Sequence, residues 1–548
     1  MLGLHGTYPG QKYLNKKPGS TTKIGDTGCV LRSDKRRIGE GGFGYVKSGH
    51  IVVEHIGLKG KTVTTIEPVA YKVIPLKEAF RKDDPLYRSQ VEDEVVLREM
   101  HFASLVAENP YMIVPQFALN TLGCLKLRSP AGDVIQTDNS VLKVKMLMRL
   151  ADSGSLSGFL QNVFNHPDRF QAILDEKGVS EASFYRALFA NMADAVKGCH
   201  EKGVVHRDIK PDNVLLDHGQ AALCDVGCAG EAGNPNEQLD PKGTYAFAPP
   251  EMFFLHSFQE VLSNIREKMQ QQLKIKIYSA TQSLSSLYLF YNDDEDLEKL
   301  KDEFQKIIND ALKNSDLAPL KKVMDERLKP KISEQDLRGF EAVYNYLIHI
   351  VTFDKFITKA YAILSAHTKN RLEEPGKYTE NVKKAFDHLQ KAVRAPALKA
   401  NLALKIMEWG VNELNKYIGN FCLPDKPQDV WSLGVVLYYV NTHGNLPYMA
   451  KPGVNPFTDE DPTHYEHSWT KNVAEGKACL TAFIMNLRKF DETSINPGTW
   501  QELVYQMLSP DPAKRPTAEQ VRNHAYLQGD KASPEEIASI IKAFNSKI

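Results

Sequence analysis

The sequence lacks the features that mark secreted and membrane-bound proteins. Its seven cysteines are odd in number and scattered along 548 residues, which disfavours a disulfide framework and indicates a reducing compartment. It has no run of about 18 apolar residues, no N-terminal apolar signal segment and no glycine at position 2 for myristoylation. We therefore expect a protein without a membrane anchor in the cytoplasm, or in a host cytosol if it is a secreted effector.

An excess of positive charge is also missing. The chain has 68 Lys and Arg residues against 68 Asp and Glu residues, so its formal net charge is zero. Because nucleic acids are held mainly by an excess of basic side chains, we expect no nucleic-acid partner. The charged fraction of 25% and the hydrophobic fraction of 42% are ordinary for a globular protein. The length alone would allow roughly three or four domains.

A glycine-rich stretch is the first chemical signal. Residues 38–46 read IGEGGFGYV, and the segment that follows is rich in β-branched and aromatic residues. This pattern predicts a loop between two antiparallel strands rather than a loop that opens a helix. Glycines suit such a loop because backbone N–H groups can then approach phosphate oxygens closely. The nucleotide-contacting candidates are Ile38, Gly39, Glu40, Gly41, Gly42, Phe43, Gly44, Tyr45 and Val46.

A lysine follows on the next predicted strand. The segment EPVAYKVIPL carries Lys72 in the pattern VAYK, 28 positions after Gly44, with Ala70 two residues earlier. An isolated lysine in a strand is usually solvated. Beyond a phosphate-binding loop, however, its ammonium group is placed to reach the α and β phosphates of a nucleotide.

Further motifs complete a series. Residues 206–213 read HRDIKPDN, residues 225–227 read DVG, residues 248–251 read APPE and residues 429–434 read DVWSLG. With the glycine-rich loop and VAYK, their order resembles the eukaryotic-type (Hanks-type) Ser/Thr protein kinases. The resemblance implies an α+β bilobal fold, with an antiparallel β N-lobe and a mainly α C-lobe. It also implies transfer of the γ-phosphoryl group of ATP, with Mg²⁺ or Mn²⁺, to Ser and Thr hydroxyls of protein substrates.

The resemblance assigns roles residue by residue. Asp208 resembles the catalytic Asp that orients the substrate hydroxyl and accepts its proton. Lys210 and Lys72 resemble the lysines that balance phosphate charge. Asn213 and Asp225 resemble the metal ligands. The resemblance also implies that Thr244 contacts the catalytic Asp and Lys and that Glu251 pairs with Arg515. The residues with implied supporting roles are Arg207, Thr244, Glu251, Asp429 and Arg515.

The resemblance also places the adenine site. KMLMRLADSGSL resembles the hinge between the lobes, with Met148 as the gatekeeper and the backbone of Arg149 and Ala151 at the adenine edge. Leu215 would line the same site. Asp152 or Ser155 would contact the ribose.

The acid that should pair with Lys72 is ambiguous. RSQVEDEVVLREMHFASLV offers Glu92, Asp93 and Glu94 in succession. The spacing of a core-facing helix favours Asp93, because apolar residues follow it at +3, +4 and +7. The resembled family uses Glu at this position, so Glu94 remains an alternative.

The activation segment has few phosphorylatable residues. Between Asp225 and Glu251 the only hydroxyl side chains are Thr244 and Tyr245. The Arg of HRD, here Arg207, usually pairs with a phosphate in this segment. We predict that an acidic residue replaces the phosphate and that loop phosphorylation is not needed; the candidates are Glu231, Glu237 and Asp240. Val226 stands where the family has Phe, and we expect activity to survive this exchange.

A long insertion is expected. Glu251 and Asp429 lie 178 positions apart, whereas a short segment separates them in the resembled family. Helical spacing of apolar residues predicts an all-α insertion that either recruits a protein partner or expands the fold passively. The predicted organisation is a leader (1–35), kinase (36–253), insertion (254–423), kinase (424–528) and a C-terminal helix (529–548). An alternative function is a pseudokinase or scaffold that acts through the insertion.

Overall fold

The described part of the chain comes from a computed structural model. It comprises residues 21–24, 29–41, 44–56, 62–75, 85–128, 134–240, 242–249, 251–252, 269–280, 295–314, 316–330, 332–373, 423–444, 446, 495–509 and 511–546, with single residues between 252 and 269.

Six strands form an antiparallel sheet in the N-terminal part of the chain. They are β1 (Thr21–Ile24), β2 (Cys29–Gly41), β3 (Gly44–Ile56), β4 (Thr62–Pro75), β6 (Phe117–Arg128) and β7 (Val134–Arg149). Their order across the sheet is β1-β2-β3-β4-β7-β6, and every neighbouring pair is antiparallel. The sheet begins before the boundary of the predicted leader at residue 35, because β1 and the first half of β2 belong to it.

The two faces of this sheet carry different side chains. Val69, Tyr71 and Val73 of β4 pack with Leu31 and Leu147 on one face. On the opposite face, Ile74, Val144 and Met146 pack against Val96 and Met100 of helix α1 (Pro85–Val106). Successive residues of a strand point to opposite faces, so Lys72 lies on the side of α1.

The C-terminal part is mainly helical. It contains α2 (Leu156–Asn165), α3 (Pro167–Lys177), α4 (Glu181–Glu201) and α5 (Pro235–Gln238). Short strands lie between them: β8 (Val204–Val205), β9 (Val214–Asp217), β10 (Gln220–Cys224) and β11 (Gly230–Glu231), with β5 (Met112–Ile113) joining β10 and β9 in a small sheet. These elements hold the residues 206–213 and 225–227 beneath the large sheet.

The segment 254–423 contributes helices wherever the structure describes it beyond residue 268, apart from short turns. These are α6 (Glu295–Asn314), α7 (Ala318–Val323), a π-helical turn (Met324–Leu328), α8 (Glu334–Glu373) and residues 269–280. Phe304 and Phe340 meet edge to face, with ring centroids 4.9 Å apart, and both are buried. Among the described helices of the whole chain, none is both long and apolar enough to cross a bilayer.

The chain then returns to the earlier core. Helices α9 (Lys426–Asn441), α10 (Trp500–Met507), α11 (Ala518–Asn523), α12 (Ala525–Gln528) and α13 (Pro534–Asn545) follow. Residues of α9 to α13 and of α2 to α4 share one hydrophobic cluster, in which Trp431 is fully buried. Ser533 and Glu536 form a capping box at the start of α13.

Candidate active site

Lys72 lies at the centre of a buried charge cluster. Its Nζ donates to both carboxylate oxygens of Glu99, at 3.0 and 2.9 Å, and to Asp225 Oδ1 at 2.9 Å. Lys72 comes from β4, Glu99 from α1, and Asp225 from the turn after β10. One cation therefore connects the sheet, the helix above it and the C-terminal part.

The acid that pairs with Lys72 is Glu99, so the expectation of Asp93 or Glu94 is wrong. Phe102, Ala103 and Val106, which follow Glu99 at +3, +4 and +7, are all buried. The same spacing rule, started from Asp93, requires Leu97 to face the core, yet Leu97 is 67% exposed. Leu97 and Glu99 lie about 200° apart around the helix, so only one of them can face inward. Both acids therefore fit the spacing rule, and only the packing of α1 selects Glu99.

Burial and charge act against each other in this cluster. Burial alone would lower the pKa of Lys72, but the carboxylates of Asp225 and Glu99 raise the pKa of its ammonium group above the usual value. Burial raises the pKa of Glu99, and the Lys72 charge offsets only part of that rise. Burial also opposes ionisation of Asp225, but Lys72 and the Gly227 N–H together keep its pKa below the usual value. Lys72 and Asp225 are therefore both held in their charged forms.

The catalytic-loop residues converge on Asp208. Thr244 Oγ1 donates to Asp208 Oδ1 at 2.7 Å, and Lys210 Nζ lies 3.1 Å from Asp208 Oδ2. Lys210 Nζ also donates to Thr244 Oγ1 at 2.5 Å, and Asn213 Nδ2 donates to Asp208 Oδ2 and to its carbonyl oxygen at 2.8 Å. The four predicted residues thus form one hydrogen-bonded group with a single carboxylate at its centre.

A buried carboxylate supports this loop from below. Asp429, in α9, accepts hydrogen bonds from the backbone N–H of His206 at 2.7 Å and of Arg207 at 2.8 Å. His200 Nε2 lies 3.0 Å from the same carboxylate. Arg207 has a positive φ of 71°, a conformation that a non-glycine residue adopts only when its surroundings hold it. The Asp429 contacts supply that constraint.

A second long-range pair closes the C-terminal part. Arg515 donates two parallel hydrogen bonds to Glu251, at 2.6 and 2.8 Å, and its guanidinium lies over the Trp431 ring. Both charged groups are buried. The pair joins residue 251 to residue 515 across the whole 254–423 segment.

The glycine-rich stretch joins two antiparallel strands, as predicted. Gly41 of β2 pairs with Gly44 of β3, and Gly39 pairs with Val46. A Cβ at Gly44 would overlap the carbonyl oxygen of Val73 in β4, so glycine is required there by the sheet as well. Gly42 and Phe43, and the side chain of Glu40, lie outside the described residues.

The hinge candidates follow directly from the sheet. Met148 pairs with Ala70, Arg149 ends β7, and Ala151 comes two residues later, while Leu215 bridges to Ser155. Residues 148–151 therefore lie where β7 passes into the C-terminal part.

Both ribose candidates accept hydrogen bonds from backbone N–H groups. Asp152 accepts from the backbone N–H of His218, and Ser155 Oγ accepts from the N–H of Gly158 as the cap of α2.

One acid of the activation segment contacts two arginines. Glu237 accepts hydrogen bonds from Arg207 Nη1 at 3.1 Å and from both terminal nitrogens of Arg98. Glu231 instead accepts from Asn234, and Asp240 pairs with Lys242. Arg98 was not singled out by the sequence, although it immediately precedes Glu99 on α1.

The donor set fits a divalent cation at Asn213 and Asp225. Because the Asn213 amide nitrogen donates to Asp208, its amide oxygen is the atom it can offer to a metal. Asp225 is held ionised by Lys72. A carboxylate and an amide oxygen are ligands that Mg²⁺ and Mn²⁺ accept.

Comparisons with known proteins agree with this geometry. The family model of the protein kinase domain matches residues 32–329, more than half of the chain. The chain is 35% identical over 101 residues to serine/threonine-protein kinase pim-2 of Danio rerio, covering 18% of this chain and 32% of that protein. It is 24% identical over 240 residues to serine/threonine-protein kinase SKS1 of Saccharomyces cerevisiae, covering 41% and 46%.

A third relative is sperm motility kinase Z of Mus musculus, which is 43% identical over 70 residues, covering 12% of this chain and 14% of that protein. The chain thus spans less than half the length of each of these relatives. The family match extends over the sheet, Lys72, Glu99, the catalytic loop and the activation segment. The chain therefore belongs to the protein kinase family.

Proposed function

We propose that this protein is a Ser/Thr protein kinase that transfers the γ-phosphoryl group of ATP to Ser and Thr hydroxyls of protein substrates. The observation that carries the proposal is the single hydrogen-bonded group of Asp208, Lys210, Asn213 and Thr244. Three relatives with kinase names support the same activity. The participation of Thr244 favours a Ser or Thr hydroxyl as the acceptor.

The chemistry follows from these positions. The Asp208 carboxylate orients the substrate hydroxyl and accepts its proton as the oxygen attacks the γ-phosphorus. Lys210, beside the same carboxylate, balances the negative charge on the transferred phosphoryl group. Lys72 holds the α and β phosphates, and Glu99 keeps Lys72 in place. Catalysis is positioning and electrostatic stabilisation, with no covalent intermediate on the protein.

Asn213 and Asp225 would hold Mg²⁺, or Mn²⁺ in its place. The cation supplies further neutralisation of phosphate charge when it is bound. The glycine-rich residues 38–46 and the hinge residues 148–151 would hold the phosphates and the adenine, respectively.

We also propose that kinase residues on both sides of the 254–423 segment form one catalytic unit. Asp429 and Arg515, which follow the segment, contact Arg207 and Glu251, which precede it. The catalytic unit would then include residues from about 21 to 253 and from 424 to 528, with the C-terminal helix after it.

A phosphoryl-transfer assay tests the activity. Purified full-length protein with ATP, Mg²⁺ and a mixture of Ser- and Thr-containing peptides is compared with Asp208→Asn and Lys72→Met. We expect the wild-type protein to phosphorylate peptides, and each variant to lose at least about a hundredfold of that rate. Equal incorporation in all three proteins would exclude the enzyme and leave the scaffold alternative.

Glu237 is proposed to make loop phosphorylation unnecessary. Its carboxylate lies between Arg98 and Arg207, where the pairing of Arg207 with a phosphate would otherwise be needed. Burial lowers the pKa of Arg207 because it disfavours the charged guanidinium. The negative charge of Glu237 beside it offsets the free-energy cost of burying that guanidinium.

Replacement of Glu237 by Gln keeps the shape and removes the charge. We expect Glu237→Gln to lower kcat/KM about tenfold, because two arginines then face a neutral group. Glu231→Gln is the control, since the Glu231 carboxylate accepts its hydrogen bond from Asn234 and not from the two arginines. Phosphatase treatment of the wild-type protein is expected to leave its rate unchanged. A loss of activity on that treatment, traced to Thr244 or Tyr245, would contradict the proposal.

A further inference from the structure

The residue after Glu237 makes a second set of contacts in another direction. Gln238 is the last residue of the short helix α5 and is only 3% exposed. Its Nε2 donates to Asp425 Oδ2 at 2.6 Å, and its Oε1 accepts from Ser365 Oγ at 2.9 Å. Both ends of this buried amide are therefore hydrogen-bonded. Ser365 belongs to helix α8, inside the 254–423 segment.

Asp425 connects Gln238 to the base of the catalytic loop. Its carboxylate also accepts from the backbone N–H of Gly233 at 2.9 Å and of Lys426 at 2.6 Å, where it caps α9. Helix α9 carries Asp429, which holds the backbone of the catalytic loop. Asp425 thus fixes two points of the activation segment to the helix that also supports Asp208.

Helix α8 is itself anchored next to Asp425. Thr368, one turn after Ser365, is fully buried and accepts from the backbone N–H of Leu423 at 2.7 Å. Gln259, at the other end of the 254–423 segment, donates to the carbonyl oxygen of Leu239 at 2.5 Å. The segment therefore contacts the activation segment directly after Glu237 at two points, through Ser365 and Gln259.

Adjacent residues of a helix point about 100° apart, so Glu237 and Gln238 can serve two sites at once. Glu237 faces Arg98 and Arg207, while Gln238 faces Asp425 and Ser365. Because they share a peptide unit, the hydrogen bonds of Gln238 restrict where the Glu237 carboxylate can lie. A buried amide that loses one partner must move or bear the cost of an unpaired polar atom.

We propose that Gln238 is a positioning residue, through which Ser365 and Asp425 hold Glu237 between the two arginines. In this arrangement the 254–423 segment is an intramolecular support of the activation segment. It takes part in the active conformation instead of only enlarging the C-terminal part. The inference rests on the proposed kinase function and concerns the regulation of the same site.

The test removes one hydroxyl from helix α8. Ser365→Ala deletes the donor to Gln238. Thr358→Ala is the matched control, because its exposed hydroxyl donates to the carbonyl oxygen of Asp354 within the same helix. We expect Ser365→Ala to lower kcat/KM about five- to tenfold and Thr358→Ala to leave it within twofold. Thermal unfolding of both variants shows whether the whole fold has been weakened.

A double-mutant cycle separates positioning from general destabilisation. If Ser365 acts through Glu237, Ser365→Ala has little further effect in a Glu237→Gln background. Independent effects that multiply would overturn the proposal, as would equal kcat/KM values for Ser365→Ala and Thr358→Ala.

Hydrogen exchange provides a readout that does not need activity. We expect Ser365→Ala to speed exchange of the amides in residues 230–240 by at least about fivefold, with α13 unchanged. Unchanged exchange in residues 230–240 would refute the proposal that the 254–423 segment supports the activation segment. Failure of the kinase proposal can be distinguished from failure of this one. If the protein is not a kinase, the wild-type protein and Asp208→Asn give equal phosphorylation.

Discussion

Lys72 is a buried cation whose two partners come from different parts of the fold. Glu99 belongs to the helix above the sheet, and Asp225 follows the short strand β10 below it. A charge at such depth is stable only while both carboxylates remain in contact with it. The position of α1 and the charge state of Lys72 are therefore set together.

The first prediction at this scale concerns Glu99. Glu99→Gln removes the carboxylate that orients Lys72, and we expect kcat/KM to fall roughly ten- to a hundredfold. Asp93→Asn and Glu94→Gln are the controls on the same helix and should stay within about twofold. Steady-state kinetics of the three purified variants decide the matter. A larger loss for either control than for Glu99→Gln would reverse the assignment.

The second residue-scale prediction concerns the thiol of Cys228, three residues after Asp225. Burial raises the pKa of Cys228 to about 11, with the carboxylates of Asp208 and Asp225 acting in the same direction. At pH 7.5 its thiolate population is therefore small, and alkylation requires the thiolate.

We expect iodoacetamide to modify Cys228 roughly tenfold more slowly than the cysteine of a free peptide with the sequence VGCAGE. Peptide mapping by mass spectrometry at a series of pH values measures both rates. The Cys228 rate should keep rising toward pH 11, whereas the peptide rate should level off near the ordinary thiol pKa. Coincident pH profiles would contradict the raised pKa.

At the scale of elements, α13 packs against the first helices of the C-terminal part. Its Phe544 meets Phe159 and Phe170 edge to face, and Arg169 donates to the Phe544 carbonyl oxygen. The start of the helix lies against the turn between β9 and β10, where Gly219 adopts a φ of 74°. That turn precedes Asp225 by six residues, so α13 packs behind the strand that leads to Asp225.

Gly219 offers a test of this packing. A Cβ there would overlap the carbonyl oxygen of Pro534, in addition to the strain of a positive φ. We expect Gly219→Ala to reduce the free energy of unfolding by about 2 to 4 kcal/mol. Gly178→Ala is the control: Gly178 has a φ of 66° but open space around it, so only about 1 kcal/mol should be lost. Chemical denaturation measures both, and equal losses would mean that α13 does not restrict the turn.

At the scale of the whole molecule, buried polar contacts unite regions that are far apart in the chain. Glu251 and Arg515 are paired with almost no exposure, and Asp429 contacts residues more than 200 positions earlier. In the sequence, the 254–423 segment separates Glu251 from Asp429 and Arg515. Its described residues Ser365 and Gln259 contact the activation segment. The contacts that hold residues 206, 207 and 251 are thus completed only after the chain has passed through this segment.

The Glu251–Arg515 pair carries the prediction at this scale. Arg515→Met leaves the Glu251 carboxylate buried without its partner, and we expect a loss of about 3 to 5 kcal/mol in the free energy of unfolding. Arg522→Met is the control, because the Arg522–Asp194 pair is partly exposed and should contribute at most about 1 kcal/mol. Urea denaturation of both variants provides the comparison. Equal destabilisation would show that the buried pair does not hold the two regions together.

Much of the site is predictable from the sequence because its members are close in the chain or occur in recognisable motifs. Asp208, Lys210 and Asn213 lie within six residues, so a short loop brings them together whatever surrounds it. The alternation of β4 similarly places Lys72 toward α1 once the hydrophobic face is known. The antiparallel sheet and the helical C-terminal part follow from the same family resemblance.

Contacts between distant elements are different in kind. Glu99 was selected over Asp93 and Glu94 by the rotation of α1, which the packing of Phe102, Ala103 and Val106 determines. Glu237 was selected over Glu231 and Asp240 because its carboxylate accepts hydrogen bonds from both Arg98 and Arg207. Composition and spacing contain no information on these rotations and distances.

By itself, the sequence indicated the kinase family and the strand that carries Lys72. It also predicted which residues are catalytic and which bind metal, because that chemistry requires particular side chains at short, regular spacing. The tertiary structure alone decided which acid pairs with Lys72, which acid faces the two arginines, and that Ser365 contacts Gln238 across 127 positions. Burial makes those choices: a polar group inside the fold must find a partner there, and the partner is whichever side chain packing brings within hydrogen-bond distance.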